Sequence, residues 1–310
     1  MTILVCGSMA YDTIMVFQDP FRKHILPDQI HILNVCFVVP TMRREFGGCA
    51  GNIAYNLKLL GDDPAIMSTV GHDFGPYAAR LEGLGLSARH IRVLDDQFTA
   101  QAFITTDTED NQITAFHPGA MGSSHLNKIA DASGVRLGIV SPDGRDGMLE
   151  HARGLAEAGI PFLFDPGQGL PMFSGEELLG MLKGAKALTV NDYEGKMFEE
   201  KTGRSLPEVA RMVEAVVMTK GAEGSTVYTG GQQFDVPAVK PDGLVDPTGC
   251  GDAYRAGLLH GIAKGWGWAR CGRLASLMGS IKIAHRGGQN HKPARSEIAA
   301  RYEKAFGEAL

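Results

Sequence analysis

Long apolar runs are missing from this sequence. None approaches the roughly 20 residues that a membrane helix requires. The opening Met1-Thr2-Ile3-Leu4-Val5 lacks the basic stretch and cleavage site of a secretory leader, and reads as a buried strand. A basic excess is missing too. The formal charge of −5 and pI near 6.1 give nucleic acid or an anionic membrane no electrostatic reason to bind. Cysteine is sparse: five residues, at 6, 36, 49, 250 and 271, odd in number and without C-x-x-C spacing. That argues against a disulfide framework or a zinc site and fits reduced thiols in a cytoplasm. The ten histidines contain no H-E-x-x-H pair. No G-x-x-x-x-G-K-[ST] loop occurs, which excludes a P-loop mechanism, and no G-x-G-x-x-G follows Gly7, which sets aside a dinucleotide fold. Internal repeats and low-complexity stretches are also absent.

What is present is an ordinary globular composition, 44% hydrophobic and 21% charged over 310 residues. That length accommodates one large α/β domain with a small appendage. Short apolar runs at 3–8, 65–70, 137–140, 162–164, 188–190 and 216–219 alternate with helical segments, among them 53–60, 77–84, 252–264 and 267–284. Such runs suit strands covered on both faces, joined by parallel crossovers. The fold class is therefore α/β, a doubly wound, mostly parallel sheet with helices on both faces. Ligands then belong beyond the carboxyl ends of the strands, where Asp12, Asp165, Asn191 and Thr219 fall. Two β-rich pieces break the rhythm: 13–17 with 31–39, and 99–106 with 111–117 around a turn at Glu109-Asp110-Asn111-Gln112. They are assigned to a separate small sheet (13–39 and 99–117), leaving 1–12, 40–98 and 118–310 as the main domain.

The most informative stretch is Asp246-Pro247-Thr248-Gly249-Cys250-Gly251-Asp252, leading into a helix. Its glycines allow a sharp turn with bare N–H groups near a ligand, and the helix start adds unpaired N–H groups and the positive end of its dipole. That is a phosphate site. An acid beside it makes sense as a base that takes a proton from an attacking hydroxyl. A Gly-rich turn with Asp as a helix cap explains the same letters. A second Gly-rich helix start lies at Gly47-Gly48-Cys49-Ala50-Gly51-Asn52-Ile53-Ala54.

Together these two stretches resemble the paired signatures of the ribokinase-like (PfkB) sugar and nucleoside kinases, with Cys250 where alanine is usual. The resemblance spans essentially the whole chain. It implies that Asp12, with Ser8 nearby, binds the acceptor's sugar hydroxyls and that Gly47, Gly48 and Asn52 line the same pocket. It further implies that Asn191 and Glu194 (N-x-x-E) help hold Mg²⁺ through water and phosphate, although a helix cap with a reciprocal Glu accounts for both residues. Thr219-Lys220-Gly221-Ala222-Glu223-Gly224 is similar to a T-K-G-x-x-G turn that touches nucleotide phosphates; a plain strand-to-hairpin turn is the alternative. Asp165-Pro166-Gly167 resembles D-P-N without its Asn. Arg286-Gly287-Gly288-Gln289 is similar to a turn that supports adenine and, in many members, a monovalent cation such as K⁺. Asp246 and carbonyls near Lys282, His285 and Gly287 are the candidates for that cation. The small sheet becomes a lid, and in some members a homodimer contact.

The expected activity is ATP- and Mg²⁺-dependent phosphorylation of a primary hydroxyl on a ribose-like group. Asp252 is the expected base, and the N–H groups of Gly249, Cys250 and Gly251 the anion hole. A nucleoside, adenosine first, is favoured as acceptor. His117-Pro118-Gly119-Ala120 resembles a turn of the nucleoside kinases, and Phe37, Phe103 and Phe116 can supply an apolar wall for a base. A ribokinase- or fructokinase-like sugar kinase is the alternative within the class, and a non-catalytic nucleotide or sugar sensor the alternative outside it.

Overall fold

The computed structural model describes residues 2–25, 32, 34–109 and 111–310. In chain order the strands are β1 (Thr2–Cys6), β2 (Ala10–Val16), β3 (Thr41–Gly47), β4 (Pro64–Gly71), β5 (Ser87–Leu94), β6 (Ala100–Thr106), β7 (Gln112–His117), β8 (Val135–Val140), β9 (Phe162–Phe164), β10 (Ala185–Asn191), β11 (Ala215–Thr219), β12 (Ser225–Thr229) and β13 (Gln232–Val236). The α-helices are α1 (Cys49–Leu59), α2 (Gly75–Gly83), α3 (Arg145–Glu157), α4 (Gly175–Met181), α5 (Asp192–Thr202), α6 (Leu206–Val209), α7 (Cys250–Ala263), α8 (Trp268–Ile283) and α9 (Arg295–Phe306). Among the described residues no helix is long and apolar enough to cross a membrane.

The large sheet has the order β13-β12-β11-β10-β9-β8-β1-β4-β5. All neighbours from β11 to β5 pair parallel, and the β12–β13 hairpin adds an antiparallel edge. Alternation along each strand feeds two cores. Ile3 and Val5 of β1 pack with Ile53 and Leu57 of α1, Leu81 of α2 and Leu258 and Leu259 of α7. Leu4 and Cys6 face the other way, toward Met148 and Leu155 of α3, Leu178 of α4 and Phe198 of α5. The chain leaves β1 for β4 and β5, then returns to β8 on β1's opposite side. Such a reversal opens a crevice at the carboxyl ends of the strands.

The small sheet runs β3-β2-β6-β7, with β2 and β6 parallel. Its hairpin strands β6 and β7 match the expected pair, while Asp110 of their turn lies outside the described residues. The expected strand at 31–39 does not form: residues 34–39 carry no regular structure, and 31 and 33 lie outside the described residues. The partner of β2 is instead Thr41–Gly47, which the sequence reading left in the main domain. Arg43, Arg44 and Glu45 hide the alternation of this solvent-facing strand, whereas the 32–39 stretch is apolar enough to imitate one. Asp12 likewise lies inside β2, not beyond the end of a main-sheet strand. The sequence reading did not single out β5, the β12–β13 hairpin or α9.

One buried ion pair pins α7 to the sheet. Arg255 Nε and Nη2 donate to Asp165, just past β9, at 2.9 and 3.0 Å, and each residue is 4% exposed. Asp165 thus binds an arginine of the fold, a use that the D-P-G resemblance left open. Removing one partner of such a pair strands a buried charge. Arg255→Met should therefore lower unfolding stability by about 3–5 kcal/mol, measured by urea denaturation. Adding Asp165→Asn to it should recover part of that loss.

Candidate active site

Helix α7 begins at Gly249, whose φ of 77° lies in the left-handed region that other residues enter only with strain. Among the described residues the N–H groups of Gly249, Gly251 and Asp252 have no protein acceptor, as the first turn of a helix leaves them. The Cys250 N–H, expected in the same anion hole, donates to Pro247 O at 3.1 Å. The turn before the helix uses that donor internally, so the donors left unpaired are the flanking N–H groups.

Asp252 occupies the first turn of α7, and Asn52 Nδ2 donates to its Oδ2 at 2.8 Å. Asn52, expected at the acceptor sugar, bonds here to the carboxylate and to Gln289, whose Nε2 donates to Asn52 Oδ1 at 3.1 Å. Gln289 Nε2 also donates to Tyr77 Oη at 2.6 Å, and Tyr77 Oη donates to Gly47 O at 2.8 Å. A continuous chain of polar groups thus joins the 286–289 turn, α7 and the Gly47-Gly48 stretch. Gln289 lay within a recognised turn, but no sequence signal marked Tyr77 or the Asn52–Asp252 bond.

Asp12 approaches from the small sheet. A Cβ at Gly47 would lie 2.4 Å from Asp12 Oδ2, so only glycine lets this carboxylate sit there. Burial pushes the Asp12 carboxyl up to about 6, and the charges of Asp252, Asp246 and Glu45 push the same way. Burial also pushes Asp252 up to about 6; Asp165 adds to this, while the Asn52 hydrogen bond and Arg255 oppose it. Two carboxyls of raised proton affinity, on separate units of the fold, therefore lie close enough for the charge of Asp252 to act on Asp12.

Other expected residues take local roles. Ser8 Oγ accepts from the Cys49 N–H at 3.2 Å, so it serves the start of α1. Gly48 precedes that helix with φ 83°. Asn191 and Glu194 form the reciprocal cap of α5: Glu194 N donates to Asn191 Oδ1 at 2.7 Å and Asn191 N to Glu194 Oε2 at 2.8 Å. Among the described residues no three Asp, Glu, His or Cys side chains gather into a metal cage. Thr219 ends β11, and Gly221 and Gly224 turn the chain into β12, where Lys220 N donates to Gly224 O at 2.7 Å. The Lys220 ammonium pairs with Asp235 at 3.1 Å. Asp246 accepts from the N–H groups of Thr248 and Gly287, at 2.9 and 2.8 Å.

The strand register also sorts the aromatics. Phe116 is level with Ala102, Asp12 and Glu45 across the small sheet and so shares the face of Asp12. Phe103 is level with Thr13 and points to the opposite face. Phe37 packs on Phe17 and Phe21, with ring centroids 4.8 and 5.0 Å away.

Residues 12–295 match the family described as pfkB family carbohydrate kinase. The chain belongs to the pfkB family. Similar solved structures include the nucleoside kinase of Burkholderia thailandensis in complex with inosine, 53% identical over 99% of both chains, with a TM-score of 0.90. Its ADP-inosine complex is 55% identical over 99% of this chain and 97% of that one, with a TM-score of 0.88. The nucleoside kinase of Methanocaldococcus jannaschii is 30% identical over 274 residues, 87% of this chain and 90% of the relative. The architecture is accordingly ribokinase-like.

In this pfkB-family kinase the raised carboxyls weaken the fold. With a folded value of about 6 against an ordinary carboxyl value of 3.8, Asp252 penalises the native state increasingly as pH rises from about 4 to about 6. Asp252→Asn should therefore raise the thermal midpoint at pH 8 by about 2 °C or more, an advantage that shrinks toward pH 4. Melting curves across that range test the sign.

Proposed function

We propose that this kinase transfers the terminal phosphoryl group of ATP to the 5′-hydroxyl of a purine ribonucleoside, with adenosine and inosine as the acceptors to test first. The observation that carries the reading is the pair of part-buried carboxyls of raised proton affinity, Asp12 on the small sheet and Asp252 in the first turn of α7, within electrostatic reach of each other. Asp252 takes the proton of the acceptor hydroxyl as its oxygen attacks phosphorus, and ADP leaves. The free N–H groups of Gly249 and Gly251 receive the charge on the transferring group. Asp12 accepts hydrogen bonds from the ribose hydroxyls. Phe116, half-exposed on Asp12's face, offers a flat apolar surface that favours a nucleoside over a free sugar. The inosine bound to a 53%-identical relative supports the same choice.

ATP would lie along the carboxyl ends of β10 and β11, with the 219–224 turn beside its phosphates. The site suits magnesium arriving with those phosphates. Glu194 commits Oε2 to the α5 cap, among the described residues its Oε1 has no protein donor, and a magnesium ion that keeps its waters takes such an oxygen readily. Bound there, the ion would neutralise phosphate charge.

Asp252→Asn should cut turnover by roughly 10²–10⁴-fold while leaving nucleoside and ATP binding near the parent's. Parent kcat/KM should fall as pH drops through about 6, where Asp252 gains its proton. A variant turning over within a few-fold of the parent would remove the base role. Asp12→Ala should raise the acceptor KM steeply and the ATP KM little, because charged hydrogen bonds of roughly 1.5–3 kcal/mol each are lost. Phe116→Ala should cost adenosine and inosine activity more than ribose activity, and Phe103→Ala should cost neither. A parent that prefers ribose or fructose to every nucleoside overturns the acceptor assignment but leaves the kinase assignment intact.

A further inference from the structure

Lys282 is the most deeply buried cation in the protein's described part, with 0% exposure in the last turn of α8. Among the described residues it forms no ion pair with a carboxylate. Its Nζ donates instead to two backbone carbonyls, Asp246 O at 2.8 Å and His285 O at 3.0 Å. Burial alone lowers its proton affinity, and the nearby Cys250, Asp246 and Asp252 act against that fall. An ammonium without a contacting carboxylate is expensive to keep in such a place, so its position calls for a reason.

The reason lies in what the two carbonyls belong to. Asp246 opens the segment that turns into the anion hole at Gly249. His285 opens the turn whose Gly287 N–H is held by Asp246 Oδ2 at 2.8 Å and whose Gln289 fixes Asn52 beneath Asp252. Both segments also hang from the end of α8, where the N–H groups of Val245 and Asp246 donate to Ile283 O at 2.9 and 3.1 Å. Without a cation, two carbonyl dipoles would converge here with no donor between them. Carbonyl oxygens are the ligands a bare monovalent cation takes, and these two belong to the segments that the family resemblance names for one.

We propose that the Lys282 ammonium is the built-in monovalent cation of this site: a positioning residue that locks residues 246–251 against 285–289, so that phosphoryl transfer needs no added K⁺. The positive charge sits behind the first turn of α7 and adds to the potential that draws the phosphoryl group. It touches neither substrate nor reacting atoms. The inference rests on the kinase reading.

The test compares parent, Lys282→Met and Lys282→Gln in choline, sodium and potassium chloride at equal ionic strength, reading kcat for inosine or adenosine with ATP and Mg²⁺. The parent should vary by no more than about twofold among the salts, whereas Lys282→Met should lose about tenfold or more in choline and regain at least about threefold in potassium. A lysine of only structural value would lower the thermal midpoint, and its loss of activity would be the same in every salt. That result overturns the proposal, as does a parent activated several-fold by potassium or a variant as active as the parent in choline. If neither variant folds, the parent's response to potassium alone decides. A parent that phosphorylates no nucleoside or sugar in any salt overturns the kinase reading instead. The thermal shift induced by ADP and Mg²⁺ in the three salts then reads the same site without turnover, with potassium-independent stabilisation of the parent expected.

Discussion

The hydrogen bond from Asn52 to Asp252 spans 200 residues of sequence and joins the first helix to the seventh. A carboxylate in the first turn of a helix gains from the dipole but loses from burial. Burial prevails here, since Asp252 is pushed up to about 6 despite the amide donor and the nearby arginine. That balance sets the properties of the site. The group ionises near neutrality, its orientation is fixed by one donor, and that donor is fixed by Gln289 and Tyr77. Because Tyr77 also holds the Gly47 carbonyl, the wall against which Asp12 rests is tied to the same network. A shift at either glycine-rich stretch is felt at the other.

Around this bond the fold places two buried cations whose partners differ in kind. Arg255 meets a carboxylate in a bidentate pair and fastens α7 to the end of β9. Lys282 meets carbonyls and fastens the loop entering α7 to the turn leaving α8. Planar guanidinium suits the first geometry and a compact ammonium the second. Arg255 lies about one helical turn along α7 from Gly251, and Lys282 holds the carbonyl of Asp246, three residues before Gly249. Apolar packing elsewhere carries the stability of the chain, and these charges set the geometry of one end of it.

The small sheet contributes by register. Since neighbouring strands align Asp12, Glu45, Ala102 and Phe116 in one row, the strand register sets both the acidic and the apolar character of that face. Asp12 also feels the charges of Asp246, in the loop entering α7, and of Asp252, in that helix's first turn.

Most of the large sheet was legible in the sequence, because parallel strands buried on both faces must be short and apolar and stand out from the helices between them. The two glycine-rich stretches were legible for a similar local reason: close backbone approach and positive φ restrict the residue type at the position itself. The 41–47 strand was not, since three consecutive charged residues, Arg43 to Glu45, mask its alternation and only pairing with β2 makes it a strand. The meaning of shared letters also waited for the fold. Asn191 and Glu194 cap a helix, the Cys250 N–H closes a turn, and Asp165 forms an ion pair. Asn52 became a support for Asp252, and Phe103 and Phe116 parted to opposite faces. Local backbone demands leave their mark on single positions and their neighbours, so the sequence alone determined the fold class and where the glycine-rich turn before α7 lies. Which side chain meets which carbonyl or carboxylate is set by contacts between segments up to 245 residues apart, and only the tertiary structure decided it.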